Sequence, residues 1–270
     1  MHKLDYYIND IEPRIKAIYD NIPKQEESSL QASLASYGWI LLDAWVAWRT
    51  LRFLLKETYI DDSVHEKWFQ TPSSYTANQL MAVWGFSDST TNYIKFHTGK
   101  GLKELIDNTI QFKRNSSAHF TKRSTVTGAD AQEIKKYFKV LSKVFLFYET
   151  GRFLQSVCDK LSKKGYNSFR LFYSEARSYA IDDFFDTIDS YSSCNKFSLT
   201  CRDSGEREYI ILFEEIGCKA GYRQRGETEY LLKDVVNGQH AYKFFNNKGF
   251  YQQIDIFIDN VEKCWDKQSV

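Results

Sequence analysis

Apolar residues recur at three- and four-residue steps through roughly the first 160 positions, and that period predicts helices. Ile8, Ile11, Ile15 and Ile18 mark a first helix that Pro13 either interrupts or starts. A second, Trp-rich helix over about 30–58 carries Leu34, Tyr37, Leu41, Trp45 and Trp48, with Ser28 or Ser29 as its cap. Gly38 weakens this helix slightly unless another backbone packs against it. Pro72 and a Ser/Thr-rich tract mark loops, a short helix follows around 79–84, and after another loop Gly101 opens a helix whose Leu102, Leu105, Ile106 and Ile110 face inward. Thr127 or Asp130 then caps a long helix striped by Ile134, Tyr137, Phe138, Leu141, Val144, Phe145 and Tyr148. Short and medium connections between these segments predict an antiparallel bundle of about four main helices.

Near Gly165 the pattern changes character. Ala176, Tyr179, Ala180, Asp183, Phe184, Thr187, Ile188 and Tyr191 predict one more amphipathic helix, after which the period shortens. Phe197, Leu199 and Cys201 alternate, Asp203-Ser204-Gly205 reads as a turn, and Tyr209 to Phe213 is a short buried run. A further strand to about Arg225 completes a small antiparallel meander, and helical patterns return over 231–236 and 250–265. The expected fold is therefore mainly α: an N-terminal antiparallel helical bundle over 1–164, followed by a smaller α+β domain over 165–270 to which no role is assigned.

Composition narrows the class without naming a function. With 43% hydrophobic residues, 26% charged residues and a formal net charge of +1, no overall field attracts nucleic acid, so any polyanion must be met by a local patch. The most apolar stretch, 37–48, is shorter than the ~20 residues a membrane span needs and contains Asp43, with Arg49 just after it, so it reads as a core helix. Cys158, Cys194, Cys201, Cys218 and Cys264 form no CxxC pair and no Cys/His spacing suited to zinc. They read as free thiols, and with no apolar leader after Lys3 and Asp5 the expected location is cytoplasmic.

The local patch is Lys113, Arg114, Lys122 and Arg123 with His119 among them, a stretch that contains no acidic residue. Within it, Arg114-Asn115-Ser116-Ser117-Ala118-His119 sets a permanent cation five positions before a group that exchanges protons near neutral pH. A guanidinium forks donors toward phosphate oxygens and an imidazole moves a proton, and the two together can cut RNA without a metal. The same residues also read as a solvated charge cluster with a surface Arg and a helix-capping His. On one continuous helix, five residues at roughly 100° each leave Arg114 and His119 about 140° apart. Either the helix ends inside the motif, as Asn115-Ser116-Ser117 permit, or groups from two chains converge across a groove.

A helical bundle carrying Arg-Asn-x-x-x-His after its third main helix resembles the HEPN superfamily (higher eukaryotes and prokaryotes nucleotide-binding) over roughly the first 160 residues. That family is defined by Arg, about four to six residues, then His, frequently with a polar residue directly after Arg, the place Asn115 fills here. The resemblance implies a metal-independent endoribonuclease with no cofactor, a toxin or antiviral-defence effector, acting on RNA as a homodimer with a composite active site. It implies Arg114 and His119 as the catalytic pair, Asn115 as a supporting polar group, and an antitoxin or trigger protein as a further partner; no membrane is involved. Lys113, Lys122 and Arg123 are the expected substrate-binding cations. Toxins silenced by a nucleotidyltransferase antitoxin usually carry Tyr two residues after the motif His; this chain has Thr121 there, so that control is not expected.

In the expected reaction, neutral His119 draws the proton from a ribose 2′-hydroxyl that attacks the adjoining phosphorus while Arg114 holds the growing charge. His119→Ala and Arg114→Ala are each expected to abolish cleavage with the fold intact. The alternative function is a catalytically inactive helical module that binds nucleotides, RNA or a protein partner.

Weaker candidates remain. Asp61, Asp62, His65 and Glu66 read as a metal cluster or, more simply, an acidic helix start. Thr98-Gly99-Lys100-Gly101 lacks the spacing of a phosphate loop and reads as a glycine-rich start to the next helix. Asp43, alone among apolar neighbours, either orients the motif from the adjacent helix or is a core carboxylate bonded to Trp or Tyr. Lys219, Arg223 and Arg225, with Tyr222 between them, read as an RNA-contacting strand or an ordinary exposed strand edge.

Overall fold

The computed structural model describes residues 3–54, 75–118, 126–174, 177–194, 196–205, 207–214, 217–236 and 250–266. Helices come first and an antiparallel sheet follows. The chain divides into two compact units, Met1–Phe145 and Leu146–Val270. The division falls inside a long helix and earlier than the change of pattern near Gly165, because Phe147 and Phe153 of that helix pack on Phe184 and Phe213 of the second unit.

In the first unit, α1 (Lys3–Asn21) runs through Pro13 without a break and buries Ile8, Ile11, Ile15 and Ile18. Helix α2 (Ser28–Leu54) touches α1 and several other elements of the unit and is buried around most of its circumference. Its inward residues are Ala35, Trp39, Leu42, Trp45 and Val46, whereas Tyr37, expected in the stripe, is exposed at 44%. A helix covered on several sides has no single apolar stripe for the sequence to display. Gly38 has a packing reason: a Cβ there would stand 2.9 Å from the Ile134 side chain and 3.1 Å from that of Ile18. It is side chains from two helices, and not a backbone, that occupy the space.

Helix α3 (Ala77–Trp84) begins at a capping box in which the Gln79 amide donates to Thr76 Oγ1 and the Gln79 side chain accepts from the Thr76 amide. Helix α4 (Asp88–Thr98), in a stretch whose sequence predicts a loop, is capped by Ser87 Oγ accepting from the Thr90 amide. It ends at Gly99 in the left-handed region at φ +78°, so Thr98-Gly99-Lys100-Gly101 is a helix junction. The next helix is continuous through three parts: an α-helical turn α5 (Leu102–Leu105), a π-helical segment (Ile106–Gln111) and α6 (Phe112–Ala118). Helix α7 (Asp130–Lys163) starts where Thr127 N–H donates to Asp130 Oδ2 at 2.7 Å, and its Tyr137, Phe138 and Phe145 pack on Trp39 and Trp45 of α2.

The second unit is built on six antiparallel strands in the order β2-β1-β3-β4-β5-β6. These are β1 (Asn167–Ser174), β2 (Arg177–Ala180), β3 (Phe197–Arg202), β4 (Arg207–Phe213), β5 (Cys218–Gln224) and β6 (Leu231–Val236). A short helix α8 (Ile188–Ser193) lies between β2 and β3, and α9 (Phe250–Asp266) closes the described chain. Phe153 of α7 and Phe257 and Trp265 of α9 cover one face of the sheet, meeting Phe213 and Tyr209.

Two expectations fail here. The single helix over 176–191 is instead β2, a 3-10 turn (Ile181–Asp186) and α8, because pairing of Leu171 with Tyr179 satisfies the backbone while Phe184 and Ile188 still reach the core. The helical pattern over 231–236 is strand β6. It closes tightly on β5 at Gly221, where a Cβ would lie 2.1 Å from the Leu231 carbonyl oxygen. Strand β1 carried no recognised signal in the sequence.

The five cysteines form no disulfide with one another, and no helix among the described residues is long and apolar enough to cross a membrane.

Candidate functional site around Arg114

Arg114 is set by the shape of the helix that carries it. On an ideal α-helix, steps of four advance the face by about 40°, so the run Ile106, Ile110, Arg114 would drift away from one side. The π-helical segment holds an extra residue per turn and takes up that drift; Thr109 Oγ1 reaches back five residues to the Glu104 carbonyl at 2.9 Å. Arg114 therefore stays on the buried side with Ile106 and Ile110, its side chain only 14% exposed.

There it meets the one carboxylate in the apolar stretch of α2. Arg114 Nε donates to Asp43 Oδ2 at 3.1 Å, and Tyr75 OH donates to Asp43 Oδ1 at 2.7 Å. Tyr75 is held in turn by the π-helical segment: Gln111 Nε2 donates to the Tyr75 carbonyl, and Asp107 Oδ1 accepts from the Ala77 amide at 2.8 Å. Both readings of Asp43 are thus correct, since it is a core carboxylate bonded to Tyr and it also orients Arg114. Burial pushes the Asp43 carboxyl up, against hydrogen bonds from Tyr75 and the charge of Arg114, which pull it down. Burial, and then the charge of Asp43, push the Tyr75 phenol well up, so it acts as a donor.

Lys113 is engaged in the same manner. Its Nζ lies 2.9 Å from Asp130 Oδ1, which also accepts from Trp39 Nε1 at 3.0 Å. Two consecutive cations of α6 are thus met by two buried carboxylates, Asp43 and Asp130. The half of Arg114 away from Asp43 faces Asn115, whose Oδ1 accepts from Nη1 at 2.6 Å. Among the described residues Nη2 takes no partner.

His119, Lys122 and Arg123 lie outside the described residues, as do Thr121 and the cluster Asp61, Asp62, His65 and Glu66. The structure thus brings Arg114 and Asn115 together and ties Lys113 to the core. The expectation that Arg114→Ala leaves the fold intact does not hold, because that change strands a buried carboxylate. Tyr75 and Asp130 were missed as partners. Asp130 carried only the signal of a helix cap, and Tyr75 none. Among the described residues no three potential metal ligands converge.

Comparison with known proteins returns no relative: no family model, no curated protein and no solved structure matches the chain.

Proposed function

We propose that the first unit is a metal-independent endoribonuclease of the HEPN type, a toxin or antiviral-defence effector that works as a homodimer. What supports the reading is a guanidinium aimed by a buried carboxylate, beside Asn115, in the helix that leads into a histidine five positions on. Asp43 fixes Nε, which leaves the Nη side to address a phosphate oxygen without reorganising during reaction. His119 as base takes the proton of a ribose 2′-hydroxyl, the oxygen attacks phosphorus, and the 5′ oxygen leaves with a proton from the second subunit's imidazole. The products carry a cyclic phosphate and a free 5′-hydroxyl, and DNA resists because it lacks the attacking group.

A second reading, an inactive module that binds nucleotides, RNA or a protein partner, is favoured by one observation. Arg114 is paired with Asp43 and Lys113 with Asp130, so much of the local positive charge is answered within the fold. Incubating the purified chain with labelled single-stranded RNA and a chelator separates the two. Cleavage lost in His119→Ala, with unchanged Tm, is the expected result; normal cleavage by that variant ends the nuclease reading, and binding without products favours the module.

A further inference from the structure

The second unit has one helix-covered face, carrying Tyr209, Ile211 and Phe213 of β4, and the opposite face carries Glu208, Ile210 and Leu212. Antiparallel register makes Arg202, Glu208 and Arg223 one rung across β3, β4 and β5 on that opposite face. Arg202 Nη2 lies 3.0 Å from Glu208 Oε2 and Arg223 Nη2 lies 2.6 Å from Oε1, while Tyr230 OH donates to the same Oε1. Burial alone would push the Glu208 carboxyl up, yet these bonds hold it below the ordinary range, so it stays ionised and fixes both guanidinium groups.

The β3–β4 and β5–β6 turns project from the same end of the sheet, and between them lies a cavity of about 420 Å³. Among the described residues its lining includes four arginines, Arg202, Arg207, Arg223 and Arg225, and two glutamates, Glu208 and Glu227. Arg225 makes no ion pair among the described residues. A second cavity of about 440 Å³ continues along the sheet and shares Glu208 and Arg223 with the first. Its lining includes Phe172, Thr200, Ile210 and Tyr230, and Ser198 and Thr228 supply hydroxyls. Each cavity falls within the ~300–1,000 Å³ typical of small-molecule sites.

The geometry points to a nucleoside di- or triphosphate as the ligand of these joined cavities. Guanidinium forks match phosphate oxygens, and the aromatic lining offers rings on which a base can stack. Glu208 stands at the junction, where a ribose would present hydroxyl donors, the role an acidic residue plays in dinucleotide sites. The site belongs wholly to the second unit and does not rest on the ribonuclease reading.

The test is calorimetric titration of the full chain with ATP, GTP, CTP and UTP, with inorganic triphosphate and an RNA oligonucleotide as competitors for the interpretation. At least one nucleotide is expected to bind with Kd below about 0.1 mM, and inorganic triphosphate more weakly. Arg225→Glu, at an exposed turn position, should weaken that nucleotide at least about tenfold, as loss of one charge-assisted bond implies. Phe172→Ala should weaken the nucleotide but not inorganic triphosphate, and His119→Ala should bind as the parent does. Tm measured on each variant separates lost binding from lost fold. The inference is overturned if no nucleotide binds at about 1 mM, if inorganic triphosphate binds as tightly, if RNA alone binds, or if well-folded Arg225→Glu binds unchanged.

Discussion

Arg114 Nε and Asp43 Oδ2 lie 3.1 Å apart although seventy-one positions separate them in the chain, and both side chains are largely withdrawn from water. Removing one partner of such a pair leaves the other charge buried and unanswered. Arg114→Ala should therefore lose about 3–5 kcal/mol of stability in urea unfolding. In an Asp43→Asn background the same change should cost less, with a coupling of roughly 0.5–3 kcal/mol. Additive effects of the two substitutions would mean that the pair does not form.

Asp43 also sets a pH dependence whose sign follows from its surroundings. Its folded carboxyl sits above the ordinary 3.8, so the folded chain holds that proton more tightly than the unfolded chain does. The associated stability is complete below the unfolded value and is lost as pH rises through the folded one. Unfolding free energies of the parent and Asp43→Asn should therefore diverge in the parent's favour as pH is lowered from neutral toward about 4. A constant difference over that range would contradict a raised carboxyl.

Gly221 should not tolerate a side chain. An added Cβ would stand 2.1 Å from the Leu231 carbonyl oxygen and 2.7 Å from its carbon, both backbone atoms that a rotamer change cannot move. Gly221→Ala is expected to cost about 1–3 kcal/mol and to speed amide exchange over 231–236. An unchanged exchange pattern would place β6 elsewhere.

Burial pushes the Cys158 thiol up to about 12 and raises Cys201 and Cys218 further. Only a thiolate reacts readily, so these three should resist iodoacetamide at neutral pH until urea is added. Mass spectrometry of peptides from native and denatured samples reads the result, and prompt native labelling of Cys218 would show its strand to be open.

Much of the first unit was legible in the chain because helix stripes are local: Ile8 to Ile18, Leu102 to Ile110 and Ile134 to Tyr148 are buried as their spacing implied. Helix α4 was hidden by its polar content, whereas α2 was legible as a helix but not in its inward face, because burial on several sides leaves no single stripe and Tyr37 lies outside. In the second unit, β3 showed its alternation and β4 its short apolar run, while β2 and β6 carried spacings equally suited to a helix. Strand pairing decided those segments, and pairing depends on residues distant in sequence.

By itself the sequence determined a helical first part, a β-containing second part and a cation placed ahead of a histidine, since these depend on neighbours within a turn or two. Only the tertiary structure decided where that cation's charge goes. A π-helical turn rotates Arg114 onto α2, where a carboxylate isolated among apolar residues and a tyrosine from another segment meet it. The Arg202–Glu208–Arg223 rung is of the same kind, formed by strand register and therefore absent from any local spacing.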